Sequence, residues 1–316
     1  MTRVAAIDCG TNSIRLLIAD LQDGQESPIL NDVVRQMRIV RLGQGVDATG
    51  SFAPQALERT YAAIDEYAEL IKEHGASKIR FVATSATRDA KNRHEFIAAV
   101  RERLGVDPEV VSGDEEAALS FAGALSISPP EPGSTVLVVD LGGGSTEFVL
   151  GGTDGPVAAR SMDMGCVRLT ERFWGQDMPT PVSIAQARAE VNQVLDKAAL
   201  DIDFSKVDRI IGVAGTITTL TAAALGLSQY DSKKINGAEI GFEKLEESIE
   251  KILTMDRETR VSLGFIHPGR VDVIAAGALI YGCILERVNQ ATGGLICTAT
   301  ASEHDILDGI ALGLRA

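Results

Sequence analysis

One pattern occurs twice in this chain. Residues 6–18 (AIDCGTNSIRLLI) align without a gap on residues 138–150 (VVDLGGGSTEFVL). Asp8 falls on Asp140, Gly10 on Gly142 and Ser13 on Ser145. Each copy reads as an apolar strand, an Asp-x-Gly turn and a second apolar strand. The period is far too long for a solenoid repeat. It predicts two related halves, each opening with the same hairpin.

The rest of the chain fits an α/β plan, because strand and helix signals alternate. A second extended stretch spans 33–42. Pro54 opens a helix in which Leu57, Tyr61, Ile64, Ala68 and Ile71 recur at helical spacing before Gly75. A strand is expected at 78–84, a helix at 92–104, a short strand at Val110 and Val111, and a helix at 113–125. The segment SPPEPG at 128–133 is the clearest linker in the sequence. Beyond it come a β-branched strand at 135–139, helices near 183–200, 242–255 and 270–288, and strands at 209–213 and 295–298. The closing helix, 303–314, is expected to pack back on the first half. A length of 316 residues suits two domains at about 150 residues each.

Composition narrows the functions. Thirty Lys and Arg against 44 Asp and Glu give a net charge of −14, which argues against general coating of nucleic acid. A local basic cleft for a small anion remains open, because fields can be focused. No apolar run is long enough to cross a bilayer, and the start, broken by Asp8 and Arg15, does not read as a signal peptide. Cys9, Cys166, Cys283 and Cys297 show no CxxC spacing and read as free thiols of a reducing cytoplasm. Gly is never followed by Lys, so there is no Walker A loop; position 147 is Glu, so GxGxxG fails; His94-Glu95 lacks a second His at 98.

The hairpin turns carry the chemistry. A Gly-rich turn lets backbone N–H groups approach an anion, a hydroxyl such as Ser145 adds a donor, and an Asp at the strand end can hold Mg²⁺. A third Gly/Thr-rich turn, 212–219, follows a strand and offers Gly215 and Thr216 at a helix start. Ser112 and Glu115 have capping-box spacing. That leaves Glu116 as the better candidate base of the two, although local chemistry alone favours reading it as an acid placed for the helix dipole. Arg88, after the 78–84 strand, reads locally as a loop arginine with a phosphate-clamping fork. His267 and His304 are lone histidines.

Taken together, these residues resemble the exopolyphosphatase and guanosine pentaphosphate phosphohydrolase (Ppx/GppA) family. The landmarks are DCGTNS at 8–13, ATSATR at 83–88, SGDEEA at 112–117, DLGGGSTE at 140–147, GTITT at 215–219 and RVDVI at 270–274. The resemblance implies two ribonuclease H-like domains of the actin-like ATPase and sugar kinase superfamily with an interdomain cleft. The expected domains are 1–126 with 300–316, and 127–299. It implies Glu116 as the base that deprotonates the attacking water and Arg88 at the chain end. Mg²⁺ would sit at Asp140 and Glu147, with Asp8 a further candidate. Phosphate would be bound by Asp8, Thr11, Asn12, Ser13, Gly142, Gly143, Gly144, Ser145, Gly215 and Thr216. The implied substrate is inorganic polyphosphate or guanosine pentaphosphate, and the implied assembly is a cytoplasmic homodimer.

Longer family members carry further C-terminal helical domains. This chain looks like the short, two-domain form, which predicts a preference for short polyphosphate. Competing readings are guanosine pentaphosphate hydrolysis at the same site, a sugar-type or acetate-type kinase, and a nucleotide-binding regulator.

Overall fold

Strand β1 (Thr2–Cys9) and strand β2 (Ser13–Gln22) form the first expected hairpin, antiparallel and in a register that sets Asp8 opposite Arg15. The computed structural model describes residues 2–22, 24, 28–126, 128–175 and 177–315; Met1, Ile127 and Ala316, on which expected domain limits fall, lie outside them. β3 (Ile29–Ile39) continues the antiparallel run. Helices α1 (Val46–Thr49) and α2 (Pro54–His74) lead to β4 (Lys78–Ala83), which is parallel to β1. Then come α3 (Ser85–Asp89), α4 (Arg93–Leu104), β5 (Glu109–Val110) and α5 (Gly113–Leu125). The sheet order is β3-β2-β1-β4-β5.

The second half repeats the plan. β6 (Val136–Leu141), β7 (Thr146–Gly152) and β8 (Gly155–Met162) are antiparallel, and Asp140 stands opposite Glu147. After α6 (Cys166–Phe173) and α7 (Pro181–Ala198), β9 (Arg209–Val213) runs parallel to β6. Helix α8 (Ala214–Ala224) and the short α9 (Ser232–Ile235) precede β10 (Glu239–Gly241) and α10 (Phe242–Thr254). Helices α11 (Arg257–Ser262) and α12 (Ile274–Ala291) lead to β11 (Thr298–Ala301), parallel to β9. The order is β10-β11-β9-β6-β7-β8. Strands 8-7-6-9-11 thus repeat 3-2-1-4-5 with the same directions, the arrangement expected of a duplicated ribonuclease H-like unit.

The chain separates into two compact units, Met1–Ser126 with Asp305–Ala316, and Ile127–His304. The return starts at Asp305 rather than at 300, because Thr298–Ala301 is a strand of the second sheet. That strand also corrects the expected 295–298. Gly293 and Gly294 adopt left-handed φ of 62° and 84°, and Leu295 is left exposed before pairing begins. Among the described residues, no helix is long and apolar enough to cross a membrane.

Alternation along β1 sorts its side chains between two cores. Ala5, Ile7 and Cys9 pack with residues of α2 and α4, such as Ile64, Tyr67 and Phe96. Val4 and Ala6 face Ile306, Leu307 and Ile310 of the last helix, α13 (Ile306–Leu312). Each of those three apolar side chains contributes roughly 1.5–3 kcal/mol on burial. This docks α13 on the first sheet, as expected for the closing helix.

Helices α5 and α13 meet backbone to backbone. A Cβ on Gly123 would lie 1.8 Å from the Asp305 carbonyl oxygen, and one on Gly309 would lie 1.9 Å from that of Leu119. Gly309→Ala is therefore expected to destabilise the fold by about 1–3 kcal/mol through overpacking. Gly282, inside α12, is the contrast: its added Cβ would sit 3.5 Å from Ile249, an ordinary contact. Gly282→Ala is expected to stabilise by about 0.5–1 kcal/mol. Urea unfolding of both variants checks the opposite signs.

Candidate active site

In the second unit the first turn of α6 grips the glycine turn by its carbonyls. The Cys166 N–H donates to the Gly142 oxygen (3.0 Å), and the Val167 and Arg168 N–H groups donate to the Gly143 oxygen (2.8 and 3.2 Å). The Arg168 side chain completes the set, with Nε donating to the Gly144 oxygen at 2.8 Å. A trans peptide points its C=O and its N–H in opposite directions. Fixing these three carbonyls toward α6 therefore turns the N–H groups of Gly143, Gly144 and Ser145 the other way, an arrangement of backbone donors with the form of a nest. Gly165 permits the approach, since a Cβ there would be 2.3 Å from the Gly143 oxygen.

The first unit builds its turn similarly, from a bend instead of a helix. Gly10 N–H donates to the Ser13 oxygen at 2.9 Å, as Gly142 does to Ser145 at 3.0 Å. The Thr11 oxygen accepts from Gly43 N–H (2.8 Å), and the Asn12 oxygen accepts from both Val40 (3.0 Å) and Arg41 (2.9 Å). Two successive amides converge on one oxygen only if the chain bends sharply, and Arg41 adopts a left-handed φ of 50°. Among the described residues, the N–H groups of Asn12, Gly143, Gly144 and Ser145 donate to no protein oxygen. Asn12 Oδ1 is buried without a partner, a group that a bound water or ligand would satisfy.

The two copies differ in charge. Arg15 Nε and Nη2 meet Asp8 Oδ2 at 2.8 and 2.7 Å. Burial pushes the Asp8 carboxyl above its usual range while Arg15 pulls it down. Asp140 has Glu147 opposite it, and Glu147 accepts from the Ser161 hydroxyl at 2.7 Å. Both carboxylates are buried. Among the described residues, no three metal-ligating side chains cluster. A pair of hard oxygen donors still suits Mg²⁺, which keeps several waters and often takes only one or two carboxylates.

Glu116 lies in the first turn of α5, beside the first turn of the repeat. It is 8% exposed, and burial pushes its carboxyl up to about 6, with Asp8 adding to the rise and Arg88 and Thr84 opposing it. Arg88 sits on the short helix α3 rather than on a loop. Its Nη1 donates to Glu116 Oε2 (2.6 Å) and to the Val111 carbonyl (3.1 Å), so in this structure the arginine expected at the chain end is bound to the candidate base. The capping box is only half formed. Ser112 Oγ accepts from Glu115 N–H at 3.1 Å, but the Glu115 carboxylate pairs with Arg80 at 3.2 Å.

The third turn is tighter than its sequence suggests. Helix α8 begins immediately after β9, and Ala214 at the junction has φ of 69°, a strained value for a residue with a Cβ. Gly215 lies under the Arg270 guanidinium: a Cβ there would come within 1.9 Å of its carbon and push that side chain aside. Thr216 packs on Gly277. Burial pushes the Cys166 thiol up to about 11, with Arg270 and Thr216 acting on it in the opposite sense. Cys166, Thr216, Gly215 and Arg270 therefore cluster beside the glycine turn.

Sequence reasoning did not assign Arg15, Arg41, Arg168 or Arg270 to the site. Two of them left a signal: Arg15 is the basic residue aligned with Glu147, and Arg270 opens the RVDVI landmark. Ser112→Ala is expected to cost about 1 kcal/mol of stability through loss of the cap. Glu115→Ala, which removes a half-exposed ion pair, should cost well under about 1 kcal/mol. Arg168→Met should weaken inorganic phosphate binding by loosening the turn, measurable by calorimetry, with the melting temperature recorded alongside.

Comparison with known proteins shows the family. Residues 17–313 match the Ppx/GppA phosphatase family. Exopolyphosphatase 2 of Mycobacterium tuberculosis is 47% identical over 99% of both chains. The crystal structure of an exopolyphosphatase-like protein superposes with a TM-score of 0.92 at 47% identity, covering 98% of each chain. A guanosine-5'-triphosphate,3'-diphosphate pyrophosphatase of Aeromonas salmonicida is 30% identical over 90% of this chain and 55% of its own. On this evidence the chain belongs to the Ppx/GppA phosphatase family.

Proposed function

We propose that the chain is an exopolyphosphatase, which hydrolyses the terminal phosphoanhydride bond of inorganic polyphosphate and releases orthophosphate. The observation that carries this reading is Glu116, a buried carboxylate raised to about 6 beside a phosphate-type turn. The 47% identity to a protein named exopolyphosphatase 2 supports it. A general base works best with its pKa near the working pH. At neutral pH Glu116 is mostly ionised yet basic enough to take a proton from water.

In the proposed reaction the water oxygen bonds to the terminal phosphorus. The bridging P–O bond breaks, and the proton passes to Glu116. The remaining chain leaves one phosphate shorter. Protein catalysis of phosphoryl transfer is mainly positioning and charge stabilisation. The N–H groups of Gly143, Gly144 and Ser145 receive phosphoryl oxygens, and Ser145 adds its hydroxyl. Arg88 restrains the Glu116 carboxylate through Oε2. Mg²⁺, held by Asp140 and Glu147, would draw negative charge from the phosphate oxygens. The thiols of Cys9, Cys166, Cys283 and Cys297 are unpaired, which suits a cytoplasmic protein.

A second reading, guanosine pentaphosphate hydrolysis by the same residues, is favoured by the Aeromonas relative. Orthophosphate release with Mg²⁺ from tripolyphosphate and from guanosine pentaphosphate, in parallel, separates the two. Faster release from tripolyphosphate is expected, and the reverse order would establish the second reading. The charge of −14 disfavours long polyanions, so tripolyphosphate should also outpace chains of hundreds of phosphates. Glu116→Gln should lower kcat by about 10²–10⁴-fold. The base must be ionised to act, so the wild-type rate should fall as pH drops through about 6.

A further inference from the structure

One guanidinium ties together separate parts of the first unit. Arg15 holds Asp8 Oδ2 through Nε and Nη2, and its Nη1 contacts Asp305 Oδ2. The Arg15 side chain is 19% exposed, against 6% and 5% for the two carboxylates. Asp305 also opens α13: its Oδ1 accepts from Leu307 N–H at 3.0 Å, and its own N–H donates to Asp308 Oδ2 at 3.1 Å. Arg35 of β3 holds Asp308 in turn. The chain thus re-enters the first unit at a residue clamped to the strand end that bears Asp8.

From there the linkage continues through backbone. The Asp305 carbonyl lies on Gly123 and the Leu119 carbonyl lies on Gly309, with no side chain between them. Gly123 and Leu119 belong to α5, the helix that begins with Glu116 in its first turn. The repeat register places Arg15 where the second copy has Glu147. An acidic residue at position 15 would face Asp8 and Asp305 with no cation between them.

We propose that Arg15 is a positioning residue: by holding Asp8 and Asp305 on one guanidinium it fixes α13, and through α13 the Glu116 helix, against the first turn of the repeat. The inference rests on Glu116 being the base, as proposed above. A planar guanidinium serves two carboxylates at once, whereas an ammonium is a single point charge.

The test compares Arg15→Lys, Arg15→Met and Asp305→Asn with the wild type on tripolyphosphate. Asparagine is as good an N-cap as aspartate, so Asp305→Asn removes the ion pair and keeps the helix start. Arg15→Met is expected to keep the wild-type KM while kcat falls about tenfold to a hundredfold, the cost of a slightly misplaced base. Asp305→Asn should shift kcat the same way, Arg15→Lys should recover part of the loss, and Arg15→Met with Asp305→Asn should be no slower than Arg15→Met alone. An unchanged kcat with a lowered melting temperature would overturn the proposal, and so would a raised KM with kcat intact. Amide exchange gives a readout independent of turnover. In Asp8→Asn the Leu307 N–H and the α5 amides should exchange faster than in the wild type. Unchanged exchange contradicts the linkage even if the wild type hydrolyses neither candidate substrate, an outcome that would instead refute the proposed function.

Discussion

The structure depends on where the carbonyls of two short turns point. An anion site made of backbone needs N–H groups aimed outward, and a peptide plane can offer its N–H only if its C=O is satisfied on the opposite side. In the second unit the start of α6 and the Arg168 side chain take the oxygens of Gly142, Gly143 and Gly144. In the first unit the bend at residues 40–43 takes those of Thr11 and Asn12. Gly43 and Gly165 follow from this, because each lies against the turn where a Cβ would collide. So does the left-handed Arg41, whose amide must share an acceptor with its neighbour.

Duplication supplied two hairpins, and charge then separated their roles. In the first, Asp8 carries its own counter-cation in Arg15, and that arginine reaches on to Asp305. In the second, Asp140 faces Glu147, which leaves an acidic pair suited to a hard cation. Beside the first hairpin, Glu116 is buried enough to be a poor acid and close enough to Arg88 to stay oriented. The same strand register thus sets an arginine opposite one aspartate and a glutamate opposite the other.

Much of this was legible in the sequence because it is local. The aligned Asp-x-Gly turns predicted two hairpins, and these formed with matching hydrogen bonds at Gly10 and Gly142. Pro54 and Gly75 bound α2 as expected, and α5 spans 113–125 as read. Long-range contacts were not legible. Nothing near Glu115 announced that it would reach Arg80 instead of its own helix cap. The β8 edge strand, with exposed Val157 and an early Pro156, lacks the alternation that marks a half-buried strand. Arg270 meets Gly215 only after the chain has passed through α8 to α11. Arg15 was the exception, since its charge contrast with Glu147 stood in the repeat itself.

The central claim is that water attacks the terminal phosphorus of a phosphate chain. Its most direct test is hydrolysis of tripolyphosphate in water enriched in oxygen-18, with mass analysis of both products. The account predicts one solvent oxygen in the released orthophosphate and none in the pyrophosphate left behind. Label in the pyrophosphate, or no release of orthophosphate at all, would contradict it.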